Sequence, residues 1–204
     1  MRVLVETNFV LELVFSGDKF VSCRALMEMA ERKELELLLP AYCLVEPYEA
    51  IIRRRKSRLQ AHESLTREIR EITRSNQFVG PANQLAELTG LLIQVGEDEQ
   101  RQLRRVISQL LQIASVIELK DEILQESLVL QDQQTLSPQD AVVFASVLAA
   151  LRLGGGPACF LTKNSKDFSL PGIEEALTPL NCSVLYDFEK GLNFVRSRPS
   201  GATP

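Results

Sequence analysis

Histidine and cysteine are scarce in this chain. The single histidine is His62, and the four cysteines (Cys23, Cys43, Cys159 and Cys182) show no Cys-x-x-Cys spacing. That argues against a zinc site and against a disulfide framework, and it reads the thiols as buried and reduced. Aromatic residues make up 6% of the chain and are scattered, so no base-stacking platform is built from them. No apolar run approaches the roughly 18–20 residues that cross a bilayer. The first residues also lack the basic, apolar and small-residue succession of a signal peptide, so the expectation is a cytoplasmic protein with no membrane partner. With a formal net charge of −4, the surface as a whole is not built to capture nucleic acid, and only a local basic patch could do so.

The 204 residues, 45% hydrophobic and 25% charged, suit one soluble domain or one domain with a large insertion. The chain is organised around its first dozen residues. Val3, Leu4 and Val5 form a β-branched apolar run that suits a strand buried on both faces of a parallel sheet. The run stops at Glu6-Thr7-Asn8, which places Glu6 at the carboxyl end of the strand, where α/β sheets bind ligands. Ser16-Gly17-Asp18 makes a turn, and Phe20, Cys23, Leu26, Met27 and Ala30 recur at helical spacing to about Arg32. Leu35 to Leu39 reads as a second buried strand closed by Pro40, far enough on for a right-handed βαβ unit.

A long helix is expected from near Tyr42 to about Arg74, broken by Asn76, Gly80 and Pro81. Helices over Leu85 to Val95 and Asp98 to Ile117 follow, the second opened by Glu97-Asp98-Glu99, which suits a helix N-terminus. Residues from about 53 to 117 thus read as a helical hairpin. With a further helix over Lys120 to Leu130, the insertion spans about 53–130. Ser137 is a good N-cap and Pro138 a good first residue for a helix that is apolar almost all round. Cys159 to Thr162 and Ser183 to Tyr186 read as strands, Ile173 to Leu177 and Phe188 to Val195 as helices, and 197–204 as a flexible tail. The fold class is α/β: one domain over 1–196, with a mostly parallel sheet flanked by helices and a helical-hairpin insertion.

Four acids fall at the carboxyl edge of that sheet: Glu6, Glu46, Asp140 and Asp167. Carboxylates gathered together repel one another unless a cation sits among them, and Mg²⁺ or Mn²⁺ suits an oxygen-only donor set. Each acid also has a purely structural reading. Glu6 could end a strand or pair with an arginine, Asp140 could bond back to the Ser137 amide in a capping box, Glu46 could complement a helix dipole, and Asp167 could serve a turn.

Taken with their neighbours, these residues resemble the PIN-domain nucleases. The matching segments are Glu6-Thr7-Asn8, Glu46 in Leu44-Val45-Glu46, Asp140 in Ser137-Pro138-Gln139-Asp140-Ala141, and Thr162-Lys163-Asn164-Ser165-Lys166-Asp167-Phe168. The resemblance covers about residues 1–52 and 130–196. It implies a Mg²⁺- or Mn²⁺-dependent endoribonuclease of the kind found as toxins in toxin–antitoxin pairs. Glu6, Glu46, Asp140 and Asp167 would hold metal for catalysis, supported by Asn8, Thr162 and Asn164. The implied partners are RNA and an antitoxin or other protein; a homodimer is compatible with it. One position departs from the family, which places Asp after the first strand where this chain has Glu6. The extra methylene moves the carboxylate by about 1.5 Å. The alternative reading is therefore a PIN-fold protein of weak or lost activity that binds RNA or protein.

The basic run Arg53, Arg54, Arg55, Lys56 and Arg58 lies one to three helical turns beyond Glu46. It is the local patch that could follow an RNA backbone, or else a solvated helix face. His62 lies on the apolar side of the same helix and reads as a packing residue. A nucleotide-binding α/β protein is disfavoured, because Gly154-Gly155-Gly156 ends a helix and no phosphate-cradling glycine motif follows a strand.

Overall fold

A computed structural model of the chain describes residues 1–74 and 79–198. The chain divides into two compact units, one made of Met1–Glu46 with Val106–Pro204 and the other of Pro47–Arg105.

The first unit is built on β1 (Arg2–Val5), whose four residues are all buried. Past Arg2 the strand is short, branched and apolar, and such a run needs cover on both faces, which parallel sheets provide. The other strands are β2 (Glu36–Pro40), β3 (Ser115–Ile117), β4 (Ala158–Leu161) and β5 (Cys182–Leu185). Their order is β3-β2-β1-β4-β5, and every pairing is parallel. The all-parallel sheet with helical cover matches the α/β fold class expected from the sequence. Val3 pairs with Leu37 on one side and Cys159 on the other, so β1 is the central strand. From β1 the chain first builds outward through β2 and β3, then crosses over to add β4 and β5. The reversal falls between β1 and β4, which makes their carboxyl ends the expected ligand crevice.

Helices α1 (Thr7–Phe15) and α2 (Phe20–Glu31) lead from β1 to β2. Glu6 is the N-cap of α1, and Ser16, in the left-handed region at φ 49°, ends the helix. β3 corrects an expectation. Residues 115–117 were expected to be helical, but the chain leaves the helix at Ala114 and Val116 pairs with Leu39 on the sheet edge. Three residues are too few for an alternating pattern to be read. Helix α5 (Asp121–Gln134) and α6 (Pro138–Leu153) follow, and α6 is buried on most of its surface, as its composition requires. Arg2 ties the start of β1 to the end of α6, donating to the Ala150 carbonyl at 3.1 Å and the Gly154 carbonyl at 2.6 Å. The remaining helices are α7 (Ser165–Phe168), α8 (Pro171–Leu177) and α9 (Phe188–Arg196). All four cysteines are free and buried.

The second unit is an antiparallel helical hairpin, formed by the later part of α3 (Tyr42–Ile72) and the earlier part of α4 (Val79–Ile113). Gly80 and Pro81 open α4, and the expected break at Asn76 lies outside the described residues. Instead of two helices starting at 85 and 98, α4 runs unbroken through Glu97-Asp98-Glu99. The acidic cluster does not serve a helix N-terminus, because cations satisfy it in mid-helix. Arg58 of α3 grips Glu99 with two hydrogen bonds, 2.5 and 2.7 Å, and Arg101 pairs with Asp98. Seven-residue steps bury Ala82, Thr89, Gly96 and Leu103 along the inner side of α4. His62 Nδ1 lies 3.2 Å from the Thr89 carbonyl, a packing position as expected. Ile52, Leu59, Leu65 and Ile72 of α3 are exposed. Of the tail expected over 197–204, residues 199–204 lie outside the described residues. Among the described residues no single helix is long and apolar enough to cross a membrane.

Candidate functional site

The reversal point between β1 and β4 is occupied by a continuous run of polar side chains. Glu6 stands at its centre. It is 5% exposed, and its carboxylate accepts from the Asn8 amide at 2.8 Å and the Lys163 amide at 3.3 Å. The first bond caps α1, a role more often taken by shorter Asp or Asn. The longer Glu arm thus caps its own helix with one oxygen and reaches the loop after β4 with the other. Burial pushes the Glu6 carboxyl up to about 7, against the opposing pull of Asn8, the Lys163 amide and the Thr162 hydroxyl. Among the described residues, no lysine or arginine side chain forms an ion pair with it.

On one side of Glu6, the Thr7 hydroxyl donates to the Glu46 carboxylate, joining the end of β1 to the first turns of α3. Burial pushes the Cys43 thiol up against the opposing hydrogen bond from Thr7, and the charges of Glu6 and Glu46 add to the rise. On the other side, fully buried Thr162 accepts from the Asn164 amide at 2.8 Å. Asn164 then donates through Nδ2 to Asp140 at 3.0 Å, and its Oδ1 accepts from the Asp167 amide at 3.4 Å. Asp140 differs in detail from the capping box expected. Its carboxylate accepts the Ser137 hydroxyl at 2.5 Å, not the Ser137 amide, while the same hydroxyl accepts the Asp140 amide. Asp167 sits in the short helix α7, which Asn164 caps, instead of in an open turn.

Glu6, Asn8, Glu46, Asp140, Thr162, Asn164 and Asp167 therefore belong to one hydrogen-bonded neighbourhood of the first unit. The four acids are not gathered into a compact cluster. Among the described residues, no three Asp, Glu, His or Cys side chains converge as a ready-made metal site. The donor chemistry nevertheless fits a hard divalent cation, since the neighbourhood supplies carboxylate, hydroxyl and amide oxygens and, among the described residues, no lysine or arginine pairs with its buried Glu6 carboxylate. Mg²⁺ commonly takes one or two carboxylates and completes its shell with water and substrate phosphate, which does not require three preassembled acids.

Two residues missed in the sequence complete the neighbourhood. Lys163 donates its backbone amide to Glu6 and its ammonium to buried Glu12 at 2.5 Å. Glu12 also accepts from the Lys19 amide at 2.9 Å. The signal was present: Glu12 interrupts the apolar run of α1, and a buried acid there requires a partner. In the second unit, Arg53, Arg54, Arg55 and Lys56 are exposed, whereas Arg58 is drawn down onto Glu99, with Arg54 also 3.5 Å from that acid.

No family model matches the chain, and no curated protein matches it. Among solved structures it is similar to the VapBC2 complex from Rickettsia felis, described as bound to a DNA fragment from the promoter. The identity there is 13%, the TM-score 0.46, and the match covers 91% of this chain and 98% of that one. It is also similar to a toxin–antitoxin complex from Klebsiella pneumoniae, at 19% identity and a TM-score of 0.40, over 83% of this chain and 93% of that one.

Proposed function

We infer that the protein is a divalent-metal-dependent endoribonuclease whose centre is the crevice between β1 and β4. The observation that carries this reading is the polar succession at the ends of β1 and β4: Thr7 bonds Glu46, its chain neighbour Glu6 bonds the Lys163 amide and the Thr162 hydroxyl, and Asn164 bonds both Thr162 and Asp140. It joins the motifs that resemble PIN nucleases, although they lie far apart in the sequence. Glu6 and Asp140 are the first ligands for Mg²⁺ or Mn²⁺, with Glu46 and Asp167 as further acids. When bound, such an ion lowers the pKa of water and offsets the charge that builds up on a phosphodiester under attack. The chain's own groups orient the acids. Thr7 fixes the Glu46 carboxylate, Asn164 and Ser137 fix Asp140, and the Asn8 and Lys163 amides fix Glu6. Arg53, Arg55 and Lys56 are the cations this reading assigns to the RNA backbone, with Arg58 held by Glu99. An antitoxin is the protein partner that the resemblance suggests.

A second reading, a metal-poor PIN-like fold that binds RNA or protein without cutting, draws on two facts. Glu6 is engaged as a helix cap, and no three acids converge among the described residues. The test is incubation of the purified protein with single-stranded RNA and Mn²⁺ or Mg²⁺, beside Asp140→Asn. Metal-dependent internal cleavage that falls at least about 100-fold in Asp140→Asn is the expected result. RNA binding without cleavage under every metal condition gives the second reading the lead.

A further inference from the structure

The second unit places its residues in an unusual way. The inner side of α4 holds the small residues Ala82, Thr89 and Gly96, while the larger Leu85, Leu88, Leu91 and Val95 face outward. Leu88 is 59% exposed and Leu91 is 50% exposed. At 100° per residue these four, with half-buried Leu92, fall within one stripe, and 85, 88, 92 and 95 carry the 3-4-3 spacing of a coiled-coil seam. On α3, Leu65 and Ile72 fall on the same side of the hairpin's inner seam, and both are exposed.

The stripe also lacks charge. Residues 79–96 contain one charged side chain, Glu87, where an average composition would put about four. Glu87 lies off the stripe by helical geometry. Interface centres are depleted of charge in this way, whereas solvated helix faces and anion-seeking membrane helices are not.

We propose that this stripe is a self-association surface, on which the hairpin of a second copy of this chain docks to form a four-helix bundle. The area supports a second copy. The six side chains leave apolar surface on the order of 500 Å² per copy, so two copies remove about 1,000 Å² before polar rims are counted, the level a specific interface clears. A seam of Leu85, Leu88, Leu92 and Val95 needs a facing seam of the same length and spacing, which a twofold axis supplies from the same sequence. A neutral face also gives no electrostatic basis for choosing a charged partner.

The test is sedimentation velocity of the full chain at micromolar concentrations, with circular dichroism of each variant. The wild type sediments at twice its 22.9 kDa. Leu88→Glu with Leu91→Glu is a monomer with unchanged helicity, because both positions are exposed in the single chain, and its dissociation constant rises at least 100-fold. Leu128→Glu, an exposed apolar position on α5 that the proposal does not use, stays dimeric. A monomeric wild type overturns the proposal, whether or not it binds neutral phosphatidylcholine vesicles. So does a dimer that survives the double substitution, or one that Leu128→Glu dissociates.

Discussion

In EDTA, Glu6→Gln leaves stability nearly unchanged at pH 4 and raises it by about 3 kcal/mol at pH 8, relative to the wild type. The cause is burial. Desolvation is the largest influence on the Glu6 carboxyl, and it lifts the group from 4.5 to about 7 in spite of the amides that favour its charged form. A carboxyl whose native pKa lies above its unfolded value holds its proton longer in the folded state. Its contribution is therefore fully present below about pH 4.5 and is lost as pH rises through about 7. Glutamine keeps a carbonyl acceptor and never ionises, so it escapes that loss. The check is urea unfolding at pH 4, 6 and 8. Wild type and Glu6→Gln losing stability in parallel from pH 4 to 8 would show that Glu6 does not hold its proton in the fold. The same ionisation cost is what a divalent cation would offset, so added Mn²⁺ stabilises the wild type above pH 7 and leaves Glu6→Gln unmoved.

Phe168→Ala lowers the stability of the chain by about 3–5 kcal/mol, with a fall in Tm on the order of 10 °C. Phe168 is 1% exposed and ends α7, the helix that carries Asp167. Its ring meets Phe160 edge-on at 5.2 Å between centroids and lies 6.1 Å from Phe144, so it locks the short helix onto β4 and α6 together. Its carbonyl accepts the Tyr186 hydroxyl at 2.8 Å. A four-residue helix has no stability of its own, and this anchor is what fixes the Asn164–Asp167 turn beside Asp140. Thermal and denaturant unfolding check the figure. A loss below about 1 kcal/mol would mean the loop holds its place without the ring.

How much of this was legible in the sequence depended on where the determining forces were local. The apolar runs of β1 and β2, the Ser137 cap with Pro138 on α6, and the glycines after it are local signals, and the elements stand where those signals put them. The errors lie where long-range partners decide. Glu97-Asp98-Glu99 looks like a helix start until Arg58, 41 residues away, is seen to neutralise Glu99. Val116 and Ile117 could extend a helix equally well, and only the open edge of β2 draws them into a strand. At the site, each acid could be named from its motif, but the atoms that hold it could not. The dual use of Glu6, one oxygen on its own helix and one on the β4 loop, requires β1 and β4 to be neighbours. Glu12 and Lys163, 151 residues apart, meet for the same reason.

The most direct measurement of the central claim is thermal unfolding of the full chain at pH 7.5 with and without Mn²⁺, for the wild type and Asp140→Asn. At about a hundred times its dissociation constant, bound metal stabilises by roughly 2.7 kcal/mol. The account predicts a clear rise in Tm for the wild type that Asp140→Asn abolishes. Equal curves with and without Mn²⁺ in both proteins, or an equal rise in both, would contradict it.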